Sequence, residues 1–229
     1  MVRKHMTATM KKSQEIVDRL RAAGASFHAN DNIADYLEAG DLECLEAEVR
    51  DRIDEVLRAL VIDVENDPNT EETARRMAKL FLREVFAGRY VPCPKATDFP
   101  NERGYDGLIV IGPLQVRSTC SHHFAPILGR CWIGVVPGER VIGISKYSRI
   151  ADWVLSRPQI QEEAAVQLAD RIEELTCPAG LAVHIDAVHS CMTWRGVKET
   201  ESSMTTTVLR GVLRDDAEFR REFFARLTR

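Results

Sequence analysis

Two β-branched, partly alternating runs, GLIVIGPLQVRST at 107–119 and ILGRCWIGVVPGE at 127–139, predict two strands. Only a short tract separates them, and it opens with CSHH at 120–123. The connection between two strands is therefore built from a cysteine and two adjacent histidines. Further on, GLAVHIDAVHSCM reads as a third strand, with Val183, Ile185, Ala187, His189 and Cys191 on one parity. SSMTTTVLRGVL reads as a fourth.

Helical periodicity fills the intervals. Residues 13–25 and 42–62 are amphipathic, and in the second Val49, Ile53, Val56, Leu57 and Leu60 share one face. DPNTEETARRMAKLFLREVFAG reads as a turn and a helix ending at Gly88, followed by a Pro- and Gly-rich extended connection at 89–107. SRIADWVLSRPQIQEEAAVQLADRIEELT is helical, and Pro158 either opens a second helix or kinks a long one. A last helix begins at the Asp pair before AEFRREFFARL. Helices, two strands, helices, two strands and a helix form an α+β order with an antiparallel sheet, not the βαβ alternation of a doubly wound fold.

The chain has 229 residues, 45% of them apolar, and a net charge of −4 with both signs intermixed. That balance excludes a basic nucleic-acid binder, and no apolar run reaches the roughly 20 residues a membrane helix needs. The N-terminus is polar and lacks the apolar segment of a secretory signal, so a reducing cytoplasmic setting is expected. In that setting a cysteine grouped with histidines reads as a metal ligand. The other cysteines read as small buried hydrophobes.

Cys120 and His123 are three residues apart, a spacing that a tight turn can bring to one ion. His189 and Cys191 share a strand face and could join them. Cys, His and Cys leave one position of a tetrahedral zinc site open, whereas recruiting His122 or His189 would close it; spacing does not choose. The bland reading of each residue is a core cysteine or a solvated histidine. Ser145, Lys146 and Arg149 lie where a strand gives way to a helix, which suits either a phosphate cradle or an ordinary junction. Gln161 and Glu162 lie in a polar run that could grip an amidine-like edge or simply face solvent.

Taken together, STCSHHFAPILG, VIGISKYSRIADW, RPQIQEE and DAVHSCMTWRGV occur in the order seen in GTP cyclohydrolase I. The chain resembles that family from about Ala47 to its C-terminus, leaving 1–46 as an N-terminal helical extension before a catalytic domain at 47–229. The resemblance implies a tunnelling fold, a four-stranded antiparallel sheet with helices on one face. It also implies assembly into a homo-oligomer, typically a decamer, with active sites at subunit interfaces.

By the same resemblance Cys120, His123 and Cys191 hold Zn2+, one per subunit. His122 and His189 transfer protons, and Glu162 grips the guanine with Gln161 beside it. Ser145, Lys146, Arg149 and Arg195 hold the triphosphate, with Arg76 a further phosphate-side arginine.

The implied reaction is hydrolytic opening of the GTP imidazole ring, release of formate and closure to 7,8-dihydroneopterin triphosphate, the first step of folate and pterin biosynthesis. Zinc would activate the water, and histidines titrating near neutrality suit the proton steps. Two positions depart from the pattern. Ser121 stands where the family commonly has Glu, which bears on the later ring-closing steps. Ala74 stands where Pro is usual at a helix start. The competing expectations are a same-fold enzyme that stops at a ring-opened intermediate or uses another purine nucleotide, and a non-catalytic zinc protein.

Overall fold

The computed structural model describes residues 11–227, which form two compact units, one ending at Val91 and one beginning at Pro92. Residues 1–10 of the expected extension lie outside the described residues.

The first unit is helical: α1 (Lys12–Ala22), α2 (Asp41–Ala59), α3 (Thr73–Lys79) and α4 (Ala87–Tyr90), with a 3-10 turn at Ala34–Tyr36 and a π-helical stretch at Leu80–Val85. Ile16, Leu20 and Ile33 form one small core, and Leu57, Val64 and Ala74 another. Asp41 starts α2 and is buried. It accepts the Glu38 N–H at 2.9 Å and pairs with Arg19 and Lys12. A carboxylate in a first helical turn also complements the helix dipole. The apolar face expected over 42–62 is only partly used. The helix stops at Ala59; Leu57 is buried, but Val56 and Leu60 are exposed. The segment expected to end at Gly88 instead runs through the π-helical stretch into α4.

The second unit contains β1 (Asp98–Pro100), β2 (Ile109–Cys120), β3 (Pro126–Val136), β4 (Arg140–Ile142), α5 (Ile144–Leu155), β5 (Pro158–Gln159) and α6 (Gln161–Thr176). It continues with β6 (Gly180–His189), α7 (Ser190–Thr193), β7 (Met204–Gly211), α8 (Val212–Asp215) and α9 (Ala217–Ala225). The main sheet has the order β5-β2-β3-β6-β7 and is antiparallel except for the β2–β5 pair. The four expected strands are its body. β5, two residues long, was not legible as a strand: Pro158 neither opens nor kinks a helix but pairs with Thr119. β1, inside what reads as an extended connection, pairs with β4 in a separate two-stranded sheet.

Strand alternation separates two cores. Cys131, Ile133 and Val135 of β3, with Val183 and Ile185 of β6, face α5 and α6, burying Ile150, Val154, Leu168 and Ile172. Each such side chain contributes about 1.5–3 kcal/mol by leaving water. Trp132, Val136 and Ala182 point the other way, onto Phe223 of α9. Helices therefore cover both faces, a correction to the one-sided expectation. The reason is local: Gly134 leaves room on that side, and a Cβ there would lie 2.6 Å from the Phe223 ring. Asp216 caps α9 by accepting the Glu218 N–H at 2.7 Å, as its place before an apolar run predicts.

Candidate metal centre and its surroundings

β2 ends at Cys120 and β3 begins at Pro126, so CSHH lies in the chain reversal between them. The reversal is closed by the Cys120 N–H on Ala125 O and the Phe124 N–H on Cys120 O, both at 2.9 Å, with Phe124 at φ 50°. β6 lies beside β3 with His189 opposite Ile127, which delivers the end of β6 to the same end of the sheet. There the chain turns into α7. Cys191 therefore sits on a helical turn and not, as expected, on the strand with His189.

That turn brings one donor atom each from Cys120, His123 and Cys191 to within 4.8 Å of one another. A tetrahedral ion with thiolate bonds of about 2.3 Å needs donors roughly 3.8 Å apart, so small side-chain movements close the set around a metal. Burial pushes the Cys191 thiol up, and the adjacent Cys120 adds to this while Arg195 pulls it down. The raised pKa favours the neutral thiol, and a cation between the two sulfurs would favour their ionised form instead. Arg195 donates from Nη1 to Nε2 of His123 at 2.9 Å, so the guanidinium occupies the lone pair of that nitrogen, and an ion binding there would displace it.

His122 is exposed, with Nδ1 3.8 Å from the Cys120 sulfur and its ring edge-on to His123. His189 is half-buried, and its Nε2 lies 2.9 Å from Oε1 of Gln161. Burial pushes the His189 pKa below the ordinary imidazole value, while the Glu162 carboxylate draws it back up. Gln161 and Glu162 open α6, and the helix turns them apart: Gln161 is 3% exposed and Glu162 faces solvent.

Ser145, Lys146 and Arg149 lie on the first turns of α5, just after β4; Lys146 is half-buried, and Ser145 and Arg149 are exposed. Arg149 lines a cleft with Arg117, Ser148 and Asp152. Arg76 belongs to the first unit, on α3, where it lines a shallow pocket with Thr73 and Glu84.

The GTP cyclohydrolase I family model matches residues 49–228. The chain belongs to the GTP cyclohydrolase I family. A GTP cyclohydrolase 1 from Edwardsiella ictaluri is 37% identical over 178 residues, covering 77% of this chain and 80% of that protein. One from Erwinia tasmaniensis is 37% identical over 170 residues, covering 74% and 76%. One from Serratia proteamaculans is 34% identical over 184 residues, covering 80% and 83%. A solved archaeosine synthase QueF-Like structure aligns over 45% of this chain and 93% of its own at TM-score 0.38 and 15% identity, too remote to bear on the fold.

Within the GTP cyclohydrolase I match, Ser121 is half-buried and its N–H donates to Gln159 O at 3.3 Å. Cys131, read as a buried hydrophobe, is one: burial pushes its thiol up to about 12. Cys44 and Cys177 depart from that reading and are exposed, because neither lies on a core-facing strand position. Two features escaped the sequence. One is the β5 pairing that fastens the start of α6 beside Cys120; the other is the inward orientation of Gln161. The proline between two helical runs was the only signal for the first.

Proposed function

We propose that this protein is a zinc-dependent GTP cyclohydrolase I. It would open the imidazole ring of GTP, release formate and close the product to 7,8-dihydroneopterin triphosphate for folate and pterin synthesis in the cytoplasm. The observation that carries this reading is the convergence of Cys120, His123 and Cys191 beside two further histidines, in a chain of this family. Among the described residues no helix is long and apolar enough to cross a membrane.

Cys120, His123 and Cys191 would hold zinc, which when bound supplies an activated water for hydrolysis. His122, beside Cys120, and His189, held by Gln161, are the groups that move protons to and from the opening ring. Glu162, exposed at the start of α6, accepts from the N1–H and 2-amino edge of guanine. Ser145, Lys146 and Arg149 at the start of α5 bind the triphosphate, with the positive end of the helix dipole adding to the field. Arg195 would add to the cationic side, and Arg76, on the first unit, is a phosphate-side arginine on the family resemblance alone.

The assembled form is a homo-oligomer, a decamer as the family resemblance implies, with tunnelling-fold sheets continuing from subunit to subunit. Support comes from the sheet edges. Among the described residues β7 pairs only with β6, and β5 covers just Thr119 and Cys120 of β2. Open edges of this kind are closed by further strands.

The test is GTP turnover by metal-loaded protein, following formate and the fluorescence of oxidised pterin together. Equal amounts of both establish the full reaction. Formate alone would indicate a reaction that stops at a ring-opened intermediate, the outcome Ser121 makes worth measuring. Neither product from correctly assembled, metal-loaded protein would leave a non-catalytic zinc protein.

A further inference from the structure

We infer that Gln161 is a positioning residue that fixes the tautomer of His189, locking the ring proton on Nε2 and leaving Nδ1 as its working nitrogen. The orientation of the Gln161 amide is decided by its other contacts. Its nitrogen donates to Met204 O at 2.9 Å and lies 3.2 Å from Ile185 O, with Thr206 Oγ1 at 3.0 Å. Two of these partners are backbone carbonyls, which only accept. Turning the amide over would set its oxygen against both of them, in a position that is 3% exposed and has no bulk water to relieve the clash.

The amide oxygen must therefore face His189, and at 2.9 Å it can only accept. Nε2 of the ring is the donor. A neutral imidazole carries one N–H, so the lone pair lies on Nδ1. Gln161 was expected beside Glu162 at the substrate, and its side chain is engaged by β6, β7 and His189.

The consequence for chemistry rests on the GTP cyclohydrolase reading. The ring accepts a proton at Nδ1 from water and delivers that same proton to a substrate nitrogen, while Nε2–H stays on Gln161 throughout. The ring returns to its starting tautomer without rotating, ready for the next transfer. A ring free to populate both tautomers would present a bound proton where a lone pair is needed for part of the time.

Ring-nitrogen NMR of the metal-loaded, full-length protein, labelled at histidine and assigned with His189→Gln, reads the tautomer directly. The wild type should show His189 protonated at Nε2 and bare at Nδ1. Gln161→Met keeps the length of the side chain and removes both hydrogen-bonding functions. It should give mixed tautomers and a kcat lower by about 10–100-fold, with KM for GTP and bound metal unchanged. Protonation at Nδ1 in the wild type overturns the inference, as does a Gln161→Met protein with the wild-type tautomer and kcat. Should that variant fail to fold, the wild-type spectrum still decides the tautomer. A wild type that shows Nε2–H but turns over no GTP removes the catalytic reading and leaves the assignment standing.

Discussion

Cys120 is the strand partner of Gln159, across a parallel pairing only two residues long. That contact joins the last residue of β2 to the segment that launches α6. Gln159 is 1% exposed and is itself tied down, its amide donating to Val154 O at 2.8 Å. The cysteine proposed as a metal ligand and the helix start that carries Gln161 and Glu162 are thereby held by one piece of backbone. The position of one relative to the other is fixed by main-chain hydrogen bonds, which would suit the proposed site.

Cys191→Ala should abolish tight metal binding and GTP turnover together, because it removes one of the three donors that converge among the described residues. Metal content measured on the purified protein alongside activity checks this. An active, metal-free variant would remove the metal reading.

His189→Ala should retain metal and lower turnover by about 10²–10⁴-fold, the usual scale for a general acid–base group. Single-turnover rates at saturating GTP are the appropriate readout. Rates near wild type would make this histidine structural.

Lys146→Ala should raise KM for GTP more than it lowers kcat, and the effect should be larger at low salt, where phosphate charges are least screened. If KM is unchanged across a salt series, the start of α5 is not where the triphosphate binds.

Gly134→Ala should destabilise the second unit by about 1–3 kcal/mol, since the added methyl meets the Phe223 ring. Combined with Phe223→Leu, the loss should be smaller than the sum of the two single changes. Chemical denaturation of the four proteins closes that cycle, and strict additivity would mean the two residues do not press on one another.

Acid should loosen the first unit through Asp41. Burial alone would raise its pKa, but the Glu38 N–H and the Arg19 and Lys12 side chains outweigh burial and hold it below the ordinary 3.8. A carboxylate depressed on folding contributes fully above its unfolded value and loses that contribution as pH falls through the lower folded value. Asp41→Asn should therefore cost roughly 1–3 kcal/mol near neutrality and progressively less below that value. Helix content against pH for both proteins checks it; an equal cost at all pH values would mean the charge is not what matters.

The four long strands and the order of elements were legible because alternation and β-branching persist over ten or so residues. The converging Cys120, His123 and Cys191 were legible as residue types. Its geometry was not, since Cys191 reaches the site through a helical turn at Ser190–Thr193 that nothing in the strand pattern announces. β5 was hidden for a similar reason: two residues are too few to show a period, and their pairing is decided by a distant partner. Gln161 reads as one polar residue among several in RPQIQEE. Only the packing of α6 against β6 and β7 turns it inward.

That inward amide spans carbonyls of two neighbouring strands and an imidazole at once. A slip of β7 by one residue against β6 would carry Met204 O away and bring Thr206 to the opposite side of the sheet. The same slip would leave the histidine without its anchor. On the proposed reading, a sheet assembled out of step would lose the Gln161 anchor and turn over more slowly, so one side chain would tie strand alignment to activity.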